Sequence, residues 1–129
     1  MHRSRLFGVF VDAPLADASD AVRFWAGALG ATPAPSAPDD PFTALTGATS
    51  GDVVFEVQAV DDAARYHVDI ETDDVAAEVR RLTGLGAVEV SSWQGCHTLE
   101  VPGGHLICVI PVHSDPETFA RLARTWGQA

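Results

Sequence analysis

The order of secondary-structure signals repeats once along the chain, and this repeat constrains the fold more than any single motif. Arg5–Val11 (RLFGVFV) is a β-rich run ending in the turn signal Asp12-Ala13-Pro14. From about Asp17 to Leu29, Ala18, Ala21, Val22, Trp25 and Leu29 recur at helical spacing, and Gly30 follows where a helix end favours a left-handed residue. The stretch Ala31–Pro41 holds four prolines and reads as a loop. Short strands are expected near Phe42–Leu45 and Asp52–Val57, and the loop Gln58–Ala64 closes the first half.

The pattern then restarts. Tyr66–Thr72 (YHVDIET) alternates polar and apolar residues as a strand with one core face does. Asp73 or Asp74 caps a helix whose buried stripe is Val75, Val79, Leu82 and Leu85, and Gly86 ends it. Three β-rich runs follow, Ala87–Trp93, Cys96–Val101 and His105–Ile110. Aligning Val11-Asp12 with Thr72-Asp73, and Ala28-Leu29-Gly30-Ala31 with Gly84-Leu85-Gly86-Ala87, gives two βαβββ halves, about 4–60 and 65–112, in one α+β domain spanning 1–129. A tail helix is expected in 114–127, from Asp115 to Trp126, because Ser114 and Glu117 have capping-box spacing and Pro116 sits in the first turn; Phe119, Leu122 and Trp126 would form its stripe.

Composition narrows the classes of function. With 129 residues, 47% of them hydrophobic, the chain can bury one core without a disulfide or structural metal. No run approaches the roughly 18 apolar residues of a membrane span, and no leader-type start is visible, so a cytoplasmic protein is expected. Cys96 and Cys108 fit neither a disulfide framework nor a zinc ribbon, so free thiols are expected. A net charge of -10 repels phosphate backbones and anionic lipid, which argues against nucleic acid and membrane and favours a neutral or cationic small molecule. P-loop, dinucleotide and nucleophile-elbow motifs are absent.

The helix end Phe24–Gly30 (F-W-x-x-x-L-G), the run H-V-D-I-x-x-D-D from His67, the later R-R-L-x-x-L-G-A and the ending V-P-G-G-H-L-I-C-V resemble the glyoxalase-like branch of the vicinal oxygen chelate superfamily, which also includes bleomycin-resistance and dioxygenase proteins. The resemblance covers roughly residues 4–112. It implies an open-cleft, glyoxalase-like barrel of two βαβββ modules, with the tail helix as an addition, and a homodimer. In metal-dependent relatives the first and last strands of each half supply one ligand each; carried over, these places fall near Leu6, at Glu56, at His67 and at Cys108. Leucine coordinates nothing, so Glu56 and His67 are the metal candidates of an incomplete site.

Alternation puts His67, Asp69 and Glu71 on one face of their strand and Val68 and Ile70 on the other, so the polar face should line the cleft. Asp69 could orient or charge the His67 imidazole. Phe10 shares the strand face of Leu6, and Trp93 and His97 flank the turn Gln94-Gly95; with Glu56, His67 and Asp69 they make up the expected cleft lining. Three readings remain open. One is a resistance-type binding protein that holds a small molecule with no metal or other cofactor. Another is a lyase, isomerase or dioxygenase using a divalent metal on Glu56 and His67. The third is metal-free acid–base catalysis by His67 and Asp69, with Glu56 as proton acceptor.

Overall fold

The computed structural model describes residues 1–127. Its elements are β1 (His2–Pro14), a 3-10 turn (Leu15–Asp17), α1 (Ala18–Leu29), β2 (Thr32–Pro33), β3 (Phe42–Thr46), β4 (Val54–Val60), β5 (Arg65–Thr72), α2 (Val75–Gly84), β6 (Val88–Trp93), β7 (Cys96–Glu100), β8 (Leu106–Pro111), α3 (Pro116–Leu122) and β9 (Arg124–Trp126). The fold class is α+β, as the repeat predicts, with a mixed, open sheet, as the resemblance implies. Among the described residues no helix is long and apolar enough to cross a membrane.

The chain folds into two compact units, Gly8–His67 and Met1–Phe7 with Val68 onward, and both β1 and β5 run through the boundary. In Gly8–His67 the strand order is β2-β3-β4-β1. β1 and β4 are parallel from Gly8↔Val54 to Pro14↔Val60, which keeps both strands going past the expected turn at Asp12-Ala13-Pro14 and through the first half of the expected loop Gln58–Ala64. Val11 and Ala13 of β1, Leu45 and Val57 form a buried cluster covered by Ala18, Ala21, Val22, Trp25 and Ala26 of α1. Gly30 ends α1 in the left-handed region at φ 65°, donating its N–H to Ala26, a cap that L side chains rarely adopt.

In the other unit the order is β5-β8-β7-β6. Asp74 caps α2 by accepting from the Ala77 N–H, and Val75, Val79 and Leu82 pack with Val68 and Ile70 onto Ala87, Leu99, Ile107 and Val109. Leu85 is not part of that stripe: it is the residue at which the helix ends, and its side chain is exposed.

The tail departs from expectation. Asp115, not Ser114, caps α3, accepting from the N–H groups of Glu117 and Thr118, while Ser114 is drawn away to donate to Glu71. The helix stops at Leu122, and Arg124–Trp126 instead pair antiparallel with Ser4–His2 of β1. The strand wins because Trp126 finds partners there that a helix would deny it: its indole N–H donates to Ser4 Oγ at 2.8 Å, and the Arg81 guanidinium lies 3.9 Å over its ring.

Candidate functional site

Strand alternation sorts the residues of Gly8–His67 onto two faces. Val11, Ala13 and Val57 face α1, which leaves Gly8, Phe10 and Asp12 of β1, with Glu56 and Gln58 of β4, on the other face. The β1–β4 register sets Phe10 against Glu56 and Asp12 against Gln58; β3 adds Ala44 beside Glu56 and Phe42 beside Gln58.

His67 joins this face from β5. Its ring stacks on Phe10 with centroids 4.9 Å apart and planes 8° from parallel, and Phe42 meets Phe10 edge-on at 6.0 Å. Phe10 can lie this way because of Gly8: a Cβ there would come within 3.0 Å of the Phe10 ring and 2.4 Å of Val54 Cγ2. Phe10 is 2% exposed, so the stack is a fixed wall.

The His67 imidazole is oriented by Asp12, a residue that the sequence presents only as part of a turn signal. Nδ1 lies 3.0 Å from Asp12 Oδ2 and 2.9 Å from Oδ1, and the hydrogen bond is directed at Oδ2, leaving Oδ1 buried without a hydrogen bond of its own. A carboxylate only accepts, so Nδ1 carries the hydrogen and Nε2 is the basic nitrogen of the neutral ring. Asp12 is itself buried. The result is an Asp–His pair like those that fix a general base.

One of the metal places implied by the resemblance lacks a donor. The implied β1 place, Leu6, supplies no donor, and the β1 residue paired with Glu56 is Phe10, whose phenyl ring supplies none either. Leu6 is 44% exposed and precedes the β1–β4 register altogether. Within Gly8–His67 the donors at the implied places are Glu56 and His67.

The remaining expected cleft residues lie in the other unit. Asp69 is buried on the β5 face opposite Val68 and Ile70, with a carboxylate oxygen within 4.8 Å of Cys108 Sγ. Trp93 is the cross-strand partner of Cys96 and is 74% exposed. His97 alternates with Cys96 and so lies on the α2 side, where it pairs with Glu89 and lines a groove with Val75, Ala76, Val79 and Pro111. Trp93 and His97 therefore face opposite sides of β6–β7. Glu71, on the Asp69 face, is structural: its carboxylate accepts from Arg5, from the Ser114 hydroxyl and from the N–H groups of His113 and Ser114.

Comparison with known proteins agrees with this architecture. The family model described as a glyoxalase-like domain matches residues 8–110. Curated proteins give no significant match. Among solved structures, a hypothetical protein from Bacillus halodurans C-125 shares 11% identity at a TM-score of 0.59, with 87% of this chain and 96% of that one covered. Methylmalonyl-CoA epimerase from Mycobacterium tuberculosis shares 16% at 0.54, covering 89% and 91%. A hypothetical protein from Staphylococcus aureus shares 14% at 0.51, covering 84% of this chain, which spans about a third (34%) of that protein's length. Identities this low speak to the fold alone.

Proposed function

This chain belongs to the glyoxalase-like domain family, and on that premise we propose that it binds a small neutral or cationic molecule on the face of Gly8–His67 turned away from α1, with no metal at the family's ligand places. The observation that carries this reading is Phe10: it is the β1 residue paired with Glu56 and it stacks on His67, so an aromatic wall stands between these two polar side chains. Glu56, Gln58 and Asp12 supply polar groups along the same face. An apolar wall with a few convergent polar groups is the usual make-up of a small-molecule site, and the net charge of -10 favours a cationic or neutral occupant over an anionic one. Family resemblance supports a homodimer as the working form.

The test is a thermal-shift and calorimetric screen of chelator-washed protein against neutral and cationic aromatic compounds. We expect ligands whose affinity is unchanged by added zinc, nickel, manganese or iron and falls about tenfold, or 1.4 kcal/mol, in His67→Ala. Ligands that bind only when one of those metals is present overturn the reading.

The Asp12–His67 hydrogen bond favours a second reading, metal-free acid–base catalysis. Asp12 orients the imidazole, Nε2 accepts a proton from a bound molecule, and Glu56 on the same face serves as the second proton-transfer group. Incubation of a bound ligand in deuterated water, followed by mass spectrometry, separates the two: label entering a carbon position in wild type but not in His67→Ala supports catalysis, and its absence from every ligand found leaves binding alone.

A further inference from the structure

On the sheet face that α2 packs against, the β6–β7 hairpin carries an acid–imidazole pair, Glu89 and His97. Leu99 belongs to the core under α2, and Glu89 is its cross-strand partner, so Glu89 and His97 stand on that face as diagonal neighbours. A β-bulge between Glu89 and Ser91 also sets Ser92 opposite His97 on the same face, where regular alternation would turn a residue three positions on to the other side. The His97 Nδ1–H donates to the Glu89 carboxylate. Both side chains keep access to solvent, at 32% and 39% exposure.

The helix does not cover this face completely. Val75 and Val79 are only partly buried against the core, and Ala76 is exposed. Together with Glu89, His97 and Pro111 they line a groove of about 460 Å³, within the roughly 300–1,000 Å³ usual for small-molecule sites. Gly95 shapes one end of it. At φ 81° it takes a left-handed conformation that brings the turn beside Pro111, whose Cγ would lie 3.8 Å from an added Cβ. Every lining residue belongs to the unit of Met1–Phe7 with Val68 onward.

We propose that this groove binds a hydrophobic amine, with the ammonium group at the Glu89 carboxylate and the hydrocarbon body against Val75, Ala76, Val79 and Pro111. Charge complementarity selects this occupant. The described lining residues include one carboxylate and no arginine to pair an anion, and the net charge of -10 repels a carboxylate or phosphate further. A purely apolar occupant would strip water from Glu89 and return no hydrogen bond, whereas an ammonium supplies charged N–H donors to it. The His97 hydrogen bond already holds that carboxylate in place, so less side-chain freedom is lost on binding. The groove uses none of Phe10, Asp12, Glu56 or His67, so it is a second site and its test is read independently of the ligand screen above.

The experiment is a nitrogen-15 NMR titration with probes that share one rigid apolar body: adamantan-1-amine, adamantan-1-ol and adamantane-1-carboxylate. We expect the amine to bind about tenfold more tightly than the alcohol, the carboxylate not to bind, and the shifted amides to be those of Val75, Ala76, Val79, Glu89 and His97. Glu89→Gln is expected to bring the amine down to the affinity of the alcohol. Ala76→Trp, which fills the groove from an exposed helix position, is expected to abolish binding of both with the circular dichroism unchanged. The proposal is overturned if wild type does not bind the amine, if amine and carboxylate bind alike, or if binding survives Ala76→Trp. It is overturned too if sedimentation finds wild type a dimer and Ala76→Trp a monomer, because a second copy then covers the groove. Amine binding lost in His67→Ala but kept in Glu89→Gln also overturns it and leaves the reading of the Phe10–His67 face standing, whereas binding kept in His67→Ala and weakened in Glu89→Gln supports the groove whatever the ligand screen returns.

Discussion

Asp12 and His67 lie 55 residues apart in the chain, and their side chains meet at 3.0 Å on one sheet face, with the imidazole Nδ1–H donating to a buried carboxylate. The contact fixes three properties at once: ring orientation, tautomer, and which nitrogen is left basic. Phe10 completes the fixation by stacking on the ring.

Replacing Asp12 with Asn therefore tests the orientation directly. Nitrogen-15 NMR of the imidazole is expected to show the Nδ1–H tautomer in wild type and a mixture or the Nε2–H form in Asp12→Asn, because an amide can donate to Nδ1 as readily as accept from it. Loss of a charge-assisted hydrogen bond lowers stability by about 1.5–3 kcal/mol, read from urea denaturation. An unchanged tautomer would show that Phe10 stacking alone sets the ring.

Phe10 makes a gain-of-function prediction. Phe10→His places a third nitrogen or oxygen donor beside Glu56 and His67 on the register already present, and the variant is expected to retain close to one equivalent of zinc or nickel where wild type retains none at these residues. Elemental analysis after dialysis checks it, with Phe10→His/Glu56→Ala as the control that loses the metal again. Phe10→Ala, which empties the wall, is expected to cost about 3–5 kcal/mol of stability.

The repeat and the alternation of YHVDIET make the two βαβββ halves, both main helices and the sidedness of His67 legible in the sequence alone. Asp12 escapes because Asp-Ala-Pro is also a turn signal, and only the parallel pairing with β4 shows the strand continuing to Pro14. Its phase with Gly8 and Phe10 is the available clue. The structural roles of Glu71 and Glu78 escape for another reason: a carboxylate reads as exposed unless its hydrogen-bond partners are known, and Arg5 for Glu71 and His2 for Glu78 come from the far end of the chain. Trp126 fits a helical stripe by spacing, yet Ser4 and Arg81 draw it into a strand.

Trp126 joins the β9 strand to a buried charge cluster, and its variants should separate ring from N–H. Trp126→Phe keeps a ring under the Arg81 guanidinium but removes the donor to Ser4, with an expected loss of about 1 kcal/mol. Trp126→Ala removes both and uncovers Arg81, with an expected loss of about 3–5 kcal/mol. Equal losses in the two variants would show that the hydrogen bond, not the ring, holds the strand.

Glu78 makes the acid limb of stability predictable. Burial pushes its carboxyl up, but hydrogen bonds from Arg81, His2 and Ser4 outweigh that and hold it at about 2, against an ordinary 4.5. Glu71 is lowered too, burial again opposing the bonds from Ser114, His113 and Arg5. A carboxylate whose folded value lies below its unfolded one contributes stability that is complete above the unfolded value and is lost as pH falls towards the folded one. Urea midpoints should accordingly be flat from pH 7 to 5 and fall steeply below about 4.5, with Glu78 alone responsible for on the order of 3 kcal/mol. Glu78→Gln is expected to lower stability at pH 7 and to flatten the acid limb, because the neutral amide has no proton to gain. If Glu78→Gln and wild type lose stability in parallel below pH 4.5, the cluster is not the source of the acid sensitivity, and the His2 and Arg81 contacts to Glu78 carry less of the fold than their 2.7 and 2.8 Å distances imply.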